Sequence, residues 1–527
     1  MIKTDIKLPY GYTSDDIYSA ISLRIPVSRE EIKDLRILKK SLNCSDKSNF
    51  TYDVTVGISI SAEREAGLLK MKKKVSSVDD MSMNIPCAKF TSRPLVVGAG
   101  PAGLFAALLL AESGASPILI ERGLEVAERT KKVNSFTKFG ILDPECNIQF
   151  GEGGAGTFSD GKLKVGGMDK YKYKVLSEFV DAGAPEDIIY TVGAHVGTDK
   201  LQNIVQKIRQ KIISLGGEVM FSTRLISLKT KDGNIVGAMV ERDKTSFEID
   251  CSDIILATGH SARDVFEMLR DSGASLVAKG FGIGLRIEHP REYIDDIVYG
   301  KQRPSDVGAA SYHLVTHLDN GRSVYSFCMC PGGSVVAAAS EPCGIVTNGM
   351  SEYARDAANS NAAFLVSVTP DDFASDDPLA GIELQRQIEQ RAFALAGSNY
   401  LAPTTTMDAF IKGVEPNINS VKPSYSRGTE IHSAEEYLPG YIINSLHKAI
   451  FDFDEWMSGF YYPDAVLTGP ETRTTSPVRV MRNDKFVALG IDGLYPAGEG
   501  AGYAGGIVSS ARDGLMVAEA LINKYRT

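Results

Sequence analysis

Three short stretches of the chain carry side chains equipped for chemistry. Arg286, Glu288 and His289 close a strand-like run that starts at Gly282. Strand alternation places Arg286 and Glu288 on one face. One reading makes Arg286 a clamp for a substrate carboxylate and His289 a proton carrier; the other is a structural ion pair beside a turn histidine. Cys328 and Cys330 share a strand face just before Pro331-Gly-Gly. A CxC spacing is poor for the usual redox disulfide, which prefers two intervening residues. The pair therefore reads as a thiol facing a bound ring, half of a metal site, or two small buried residues. Glu471-Thr-Arg473-Thr is the third stretch, in which Arg473 suits an anionic substrate, a cofactor or a structural role. His260 and Arg263 read as helix-start residues. The chain has no Cys/His cluster with metal spacing, so no metal is expected. It has no nucleophile elbow and no P-loop.

What these side chains act beside is indicated by glycines. Gly98-Ala-Gly100-Pro101-Ala102-Gly103 follows the apolar run Leu95-Val-Val97 and opens an alanine-rich run. Gly98 suits the tight turn, Gly100 lets backbone approach a pyrophosphate, and Gly103 lets the helix pack on the strand. The helix N-terminus, running over Leu104 to Ser113, offers N–H groups and partial positive charge to phosphates. A second strand over residues 117–120 delivers Glu121, at the spacing expected for the acid on a ribose 2′-hydroxyl. That carboxylate disfavours a 2′-phosphate, so FAD or NAD fits better than NADP; neighbouring Arg122 weakens the exclusion slightly. Far downstream stands a second glycine-rich segment, from Leu494 through Gly498-Glu499 to Gly505-Gly506-Ile507, followed by another helical pattern. Such a pair is how a flavin-binding domain split across a chain would look. Between them, residues 151–161 hold five glycines. They predict a loop whose N–H groups face an anion or flat ring, with Gly153, Gly154, Gly156, Thr157, Ser159 and Lys162 as contacts.

The elements that must position these groups predict an α/β fold: a Rossmann-like FAD-binding domain, an inserted α+β substrate domain and a small N-terminal α/β domain. Residues 1–75 form that small domain. A strand is expected around Ile6 and Leu8, a helix over Asp16 to Ser22, another helix from the capping-box pattern at Ser28, and a strand over Tyr52 to Ile60. The basic run Lys70 to Lys74 is read as a solvated helix end or part of an RNA- or partner-binding module. Residues 76–92 are the expected linker. Residues 93–271 are the first part of the FAD domain: a helix through Ile213, a strand pattern over Gly216 to Leu228, a hairpin turn at Lys231, and a buried strand from Ile254 ending at Ala257-Thr258-Gly259. Residues 272–480 form the substrate domain. Its expected strands are Gly282 to Glu288, Tyr312 to Thr316, Ser323 to Met329 and Ser334 to Ala338; its helices are Glu352 to Asn359 and Gly381 to Ala396. Residues 481–527 complete the FAD domain.

Composition bounds the partners. The net charge of −9 argues against broad nucleic-acid binding, except through residues 1–75. Fifty glycines in 527 residues exceed the usual ~7%. The N-terminus lacks signal-peptide features, and the apolar stretch from Pro94 to Ala111 is short for a membrane span. Seven scattered cysteines without a framework suit a reducing cytoplasm.

Seven segments together carry a family resemblance: Val97 to Ala107, Asn147 to Leu163, His195-Val-Gly-Thr-Asp199, Gly284 to Pro290, Phe327 to Gly333, Glu471 to Arg479, and Leu494 to Ser509. The chain resembles the bacterial "uncharacterised FAD-dependent dehydrogenase" family, within the glutathione-reductase-like flavoproteins, along nearly its whole length. The resemblance implies that Gly98, Gly100 and Gly103 meet the pyrophosphate and Glu121 the adenosine ribose. It puts the Leu225 backbone against adenine and Thr258-Gly259 near the dinucleotide. Glu499 stands where the superfamily usually has Asp and would hold a ribityl or phosphate group. Gly505, Gly506 and Ile507 would present helix N–H groups to the flavin's pyrimidine edge. The activity implied is a dehydrogenase or reductase passing hydride between a small organic substrate and flavin N5. A flavin monooxygenase is the enzyme alternative; a redox sensor or RNA-associated adaptor is the non-enzyme one. No second βαβ fingerprint is present, so electrons would come from transient NAD(P)H, a protein partner or the substrate.

Overall fold

The computed structural model describes residues 1–70, 74–163 and 167–526. At its centre is a five-stranded, all-parallel sheet ordered Leu494–Pro496, Ile254–Leu256, Leu95–Val97, Ile118–Ile120, Glu218–Met220. Alternation assigns its two faces. Val96, Leu119, Ile255 and Tyr495 pack under the helices Pro101–Glu112, Thr198–Ser214 and Ile507–Lys524. Leu95, Val97, Ile120, Ile254 and Leu256 pack against an antiparallel three-stranded meander of Thr223–Lys231, Asn234–Arg242 and Thr245–Asp250. With both faces covered, the four strands other than the edge strand Glu218–Met220 are apolar throughout. Helix Pro101–Glu112 is buried all round from Ala102 to Ala111, which explains its unbroken alanine and leucine run.

The chain leaves this sheet along Leu276–Ala278 and returns along Val478–Val480; the two pair as an antiparallel ladder. Between them lies a seven-stranded mixed sheet with Phe281–Pro290 in its middle, flanked by Asn359–Val368 and Val466–Glu471. Helices Ala380–Leu395 and Gly440–Trp456 join its core. The N-terminal sheet is ordered Asp34–Asn43, Thr51–Ser59, Ile2–Pro9, Ser76–Ser77 and carries helices Ser14–Arg24 and Ala62–Leu69. It docks on the insert through Phe50 against Tyr299 and through the Tyr10 hydroxyl, which donates to Asp306.

Four expectations need correction. Ser28 starts only one turn, Arg29–Glu31, because the following residues are taken by strand Asp34–Asn43. Ser76 and Ser77, expected in a linker, pair with Lys3 and Ile2. The strand pattern over Gly216 to Leu228 is two strands, broken where Ser222 takes φ +52°. No helix spans Glu352 to Asn359: Arg355 takes φ +51° and its guanidinium is drawn onto buried Asp160, so the helix is interrupted. Of the basic run, Met71 to Lys73 lie outside the described residues. Among the described residues no helix is long and apolar enough to cross a membrane.

Candidate functional site

The first glycine turn behaves as its spacing predicts, and each glycine can be justified by what a Cβ would meet. At Gly98, with φ +101°, it would lie 2.4 Å from the Ala257 carbonyl oxygen. At Gly103 it would lie 1.8 Å from the Gly98 oxygen, so only glycine lets the helix seat on the turn. At Gly100 the nearest atom would be 3.8 Å away, because that position faces a cleft of about 380 Å³. Pro101 occupies the first helical turn. Ala102 also lines the cleft. Helix Pro101–Glu112 has neither a side-chain cap nor an acid in its first turn. Helix Ile507–Lys524 starts at Gly506 with the same two omissions, and Gly505, Gly506 and Ile507 line the same cleft. The Gly506 N–H is already donated to Glu499 Oε2 at 3.3 Å, but the first-turn N–H groups of both helices open on the cleft without a side-chain cap and leave partial positive charge for an anionic ligand.

Around this turn the structure brings in Glu121, Arg122, Leu225, Ala257, Thr258 and Gly259. The Glu121 carboxylate already accepts from Ala99, Gly123 and Gly151 N–H groups at 2.8–2.9 Å. About one of its roughly four acceptor sites is left for a ribose. Arg122 is committed to Glu145 and Asp264 and lies over the Phe150 ring, so it braces the wall. The second loop contributes Gly154, Gly156, Ser159 and Lys162. A Cβ on Gly156 would meet Ile507, so this loop is seated on the C-terminal helix. Gly153, Thr157 and Gly498 are corrections. Gly153 and Thr157 face the hydrophobic back of the loop, where a Gly153 Cβ would strike the Thr157 hydroxyl. Gly498 donates to Asp513 behind the cleft wall.

At its other end the cleft is lined by His260, Phe327, Cys328, Glu471, Arg473 and Glu499. Burial pushes Glu499 up to about 7. Cys328 sits on a β-bulge: pairing of Ser323–Cys330 with Asn359–Val368 slips between Phe327 and Cys330, and Cys328 takes φ +39°. Cys328 and Cys330 therefore do not share a strand face. Cys328 lines the cleft, whereas Cys330 is fully buried behind it and donates its thiol to the Cys328 carbonyl at 3.2 Å. Two cations brace the bulge. Arg286 donates to the Cys328 carbonyl and Lys162 to that of Met329. The Cys330 thiol hydrogen bond and the nearby Arg286 charge bring the Cys328 thiol down to about 6, against the opposing effect of burial. Cys330 is pushed up by the same hydrogen bond and by burial.

The remaining candidates are repositioned. Arg286 is wholly buried outside the cleft and pairs with Glu471 at 2.7 Å, so it cannot clamp a substrate carboxylate. His289 is buried among Tyr293, Phe460 and Tyr462, with Nε2 on the Phe460 carbonyl, and burial pushes it down to about 4. It is a core histidine. Arg473 reaches the cleft wall but is held by Glu389 at 2.8 Å. Read from the sequence, Glu471 has no assigned role of its own. It lines the cleft with Oε2 buried and unpartnered, and burial pushes it up to about 7. Its place at a strand end two residues before Arg473 was the available signal. His313 and Asn348 also reach the cleft and stand in no motif.

A family model for an FAD binding domain matches residues 92–135, the glycine turn and its helix. A model described as FAD-dependent protein, C-terminal domain-like, matches residues 280–474, the insert. An uncharacterised protein of Clostridium beijerinckii is 44% identical over 512 residues, which is 96% of this chain and 95% of that one. The chain belongs to this FAD-dependent protein family. The cofactor of the family is FAD, and the acid-free, uncapped start of helix Pro101–Glu112 and the open Gly100 position suit its pyrophosphate. This FAD-dependent chain overlays on the 3-ketosteroid-delta4-(5alpha)-dehydrogenase of Rhodococcus jostii RHA1 at TM-score 0.36 and 12% identity, over 84% of this chain and 100% of that one. A geranylgeranyl bacteriochlorophyll reductase-like protein of Thermoplasma acidophilum overlays at TM-score 0.36 and 13% identity, over 82% and 79%. Overlays at these scores are loose and say nothing of the reaction.

Proposed function

We propose that this chain is a cytoplasmic FAD-dependent dehydrogenase or reductase of glutathione-reductase-like plan, acting on a small organic substrate. One observation carries the reading: a single cleft joins two uncapped helix N-termini to a wall bearing Cys328 and Glu471. FAD, when bound, supplies two-electron chemistry, exchanging a hydride equivalent with the substrate. The chain's own residues do the rest. Backbone at Gly98 to Ala102 and at Gly154 holds the pyrophosphate. Glu121 and the Leu225 backbone hold the adenosine end. The helix start at Gly506, which lines the cleft, would favour negative charge on the bound flavin. Glu471 holds or releases a proton at Oε2 near neutral pH. Among the described residues there is one all-parallel sheet, so transient NAD(P)H, the proposed donor, would visit the same cleft.

Anaerobic mixing of the FAD-loaded protein with NADH and with NADPH tests this reading through the flavin absorbance band. Bleaching by either supports it, and substrate-dependent oxygen uptake would then move the protein to the monooxygenases. A chain that takes up no flavin on reconstitution overturns it.

A further inference from the structure

Cys328 and Cys330 differ in every property that matters to thiol exchange, although one residue separates them. Cys328 opens on the cleft; Cys330 is fully buried behind it. Two basic groups, Arg286 and Lys162, are anchored on the bulge that carries them. Electropositive surroundings favour a thiolate. The Cys330 thiol donates to the Cys328 carbonyl at 3.2 Å, which folds its sulfur back towards Cys328, and the two thiols influence each other's proton affinity. In a regular strand, residues two apart lie about 6.7 Å apart, the far limit for a disulfide. The extra residue of the bulge and the positive φ at Cys328 break that regular extended spacing. On the same wall the Glu471 Oε2 is buried with no hydrogen-bond partner among the described residues, and burial, which pushes this carboxyl up to about 7, lets it hold a proton for a group entering the cleft.

We infer that Cys328 and Cys330 are a redox-active dithiol for a small disulfide substrate, with Cys328 attacking and Cys330 resolving; the inference rests on the FAD reading and names its substrate class. The Cys328 thiolate attacks one sulfur of R–S–S–R′. The S–S bond breaks, a Cys328–S–S–R mixed disulfide forms, and R′S⁻ takes its proton from Glu471. Cys330 then attacks the Cys328 sulfur, its proton leaves with RS as RSH, and the Cys328–Cys330 bridge closes. The substrate disulfide gains two electrons and the dithiol loses two. The resting asymmetry of the thiols, lowered at Cys328 and raised at Cys330, matches these roles.

The test uses FAD-loaded protein, pre-reduced and freed of reductant, exposed to hydroxyethyl disulfide and quenched in acid. The tryptic peptide Ser323–Arg355, which holds Cys328, Cys330 and Cys343, is then sequenced by mass spectrometry. The expected result is a Cys328–Cys330 bridge in the wild type, a stable mixed disulfide on Cys328 in Cys330→Ser and in Cys330→Ala, and no adduct on Cys330 in Cys328→Ser. An adduct that stays on wild-type Cys328 without a bridge overturns the inference. So does labelling confined to the exposed Cys87 and Cys343. The flavin band is read on every sample. Retained FAD without exchange overturns the dithiol alone, whereas a chain that never takes up FAD overturns the function beneath it.

Discussion

Cys328 is the residue whose charge state the surroundings set most clearly. Burial and the Asp160 charge raise its pKa; the Cys330 thiol, Arg286 and Lys162 lower it, and the outcome is about 6. Because the value is depressed, thiolate is the main form above about pH 6 and is lost below it. Iodoacetamide labelling of Cys328 should therefore rise through pH 6 and level off by neutrality, while an ordinary thiol with pKa about 8.5 is still climbing. A labelling midpoint near 8.5 at Cys328 would contradict the site electrostatics described above. Glu471 titrates beside it: burial and the Cys328 thiolate charge push its carboxyl up to about 7, so it is still mostly protonated where Cys328 ionises. Glu471→Gln keeps that neutral form, so the Cys328 midpoint should stay near pH 6, read in the same labelling series. A midpoint that moves upward would mean that Glu471 acts on Cys328 mainly by holding Arg286 in place.

The strand–turn–helix element at residues 95–112 separates ligand effects from folding effects within six residues. Gly103→Ala drives a Cβ to 1.8 Å from the Gly98 carbonyl oxygen, so the helix must lift off the turn. Gly100→Ala puts its Cβ into the cleft, with no protein atom nearer than 3.8 Å. Thermal melts of the FAD-free proteins should show a loss of roughly 2–4 kcal/mol for Gly103→Ala, the scale of overpacking and strain, and little change for Gly100→Ala. FAD titration should show at least tenfold weaker binding for both. Equal stability losses in the two would mean that Gly100 is a folding residue. This element was legible in the sequence because its glycine spacing dictates backbone geometry, which is local. The chemistry wall was not. Alternation located Arg286 on a strand face but could not name its partner, Glu471, 185 residues away. Nor could a CxC pair announce a bulge, which depends on the neighbouring strand's register. His289 stands beside Arg286 and Glu288 in the chain, yet its ring points into an aromatic core formed by Phe460 and Tyr462 from far downstream.

At the scale of the molecule, one buried ionic cluster ties the insert to the FAD-binding sheet. Glu389, on helix Ala380–Leu395 of the insert, sits between Arg263, which starts the helix after strand Ile254–Leu256, and Arg473, where the chain turns back. Glu389 is 1% exposed, and Arg263 and Arg473, offsetting burial, hold its carboxyl down at about 2, against 4.5 when unperturbed. A depressed carboxyl stabilises the fold fully above its unfolded value, and that stability is lost as pH falls from about 4.5 towards 2. The shift corresponds to about 3 kcal/mol. Glu389→Gln keeps the volume but leaves two buried guanidinium groups facing one another, with the partly exposed Glu341 as the carboxylate that still pairs with both among the described residues. Removing one partner of such a cluster costs about 3–5 kcal/mol. Urea unfolding of the variant at pH 7 should show that loss, and the insert should come away from the FAD-binding sheet before the rest unfolds. The variant should also lack the wild type's fall in stability between pH 4.5 and 2. If Glu389→Gln matched the wild type at pH 7 and shared its acid profile, the ionic cluster would not be what holds the two parts of the cleft together. The packing of Leu379 and Ile382 against the sheet's hydrophobic core would then be the coupling that remains.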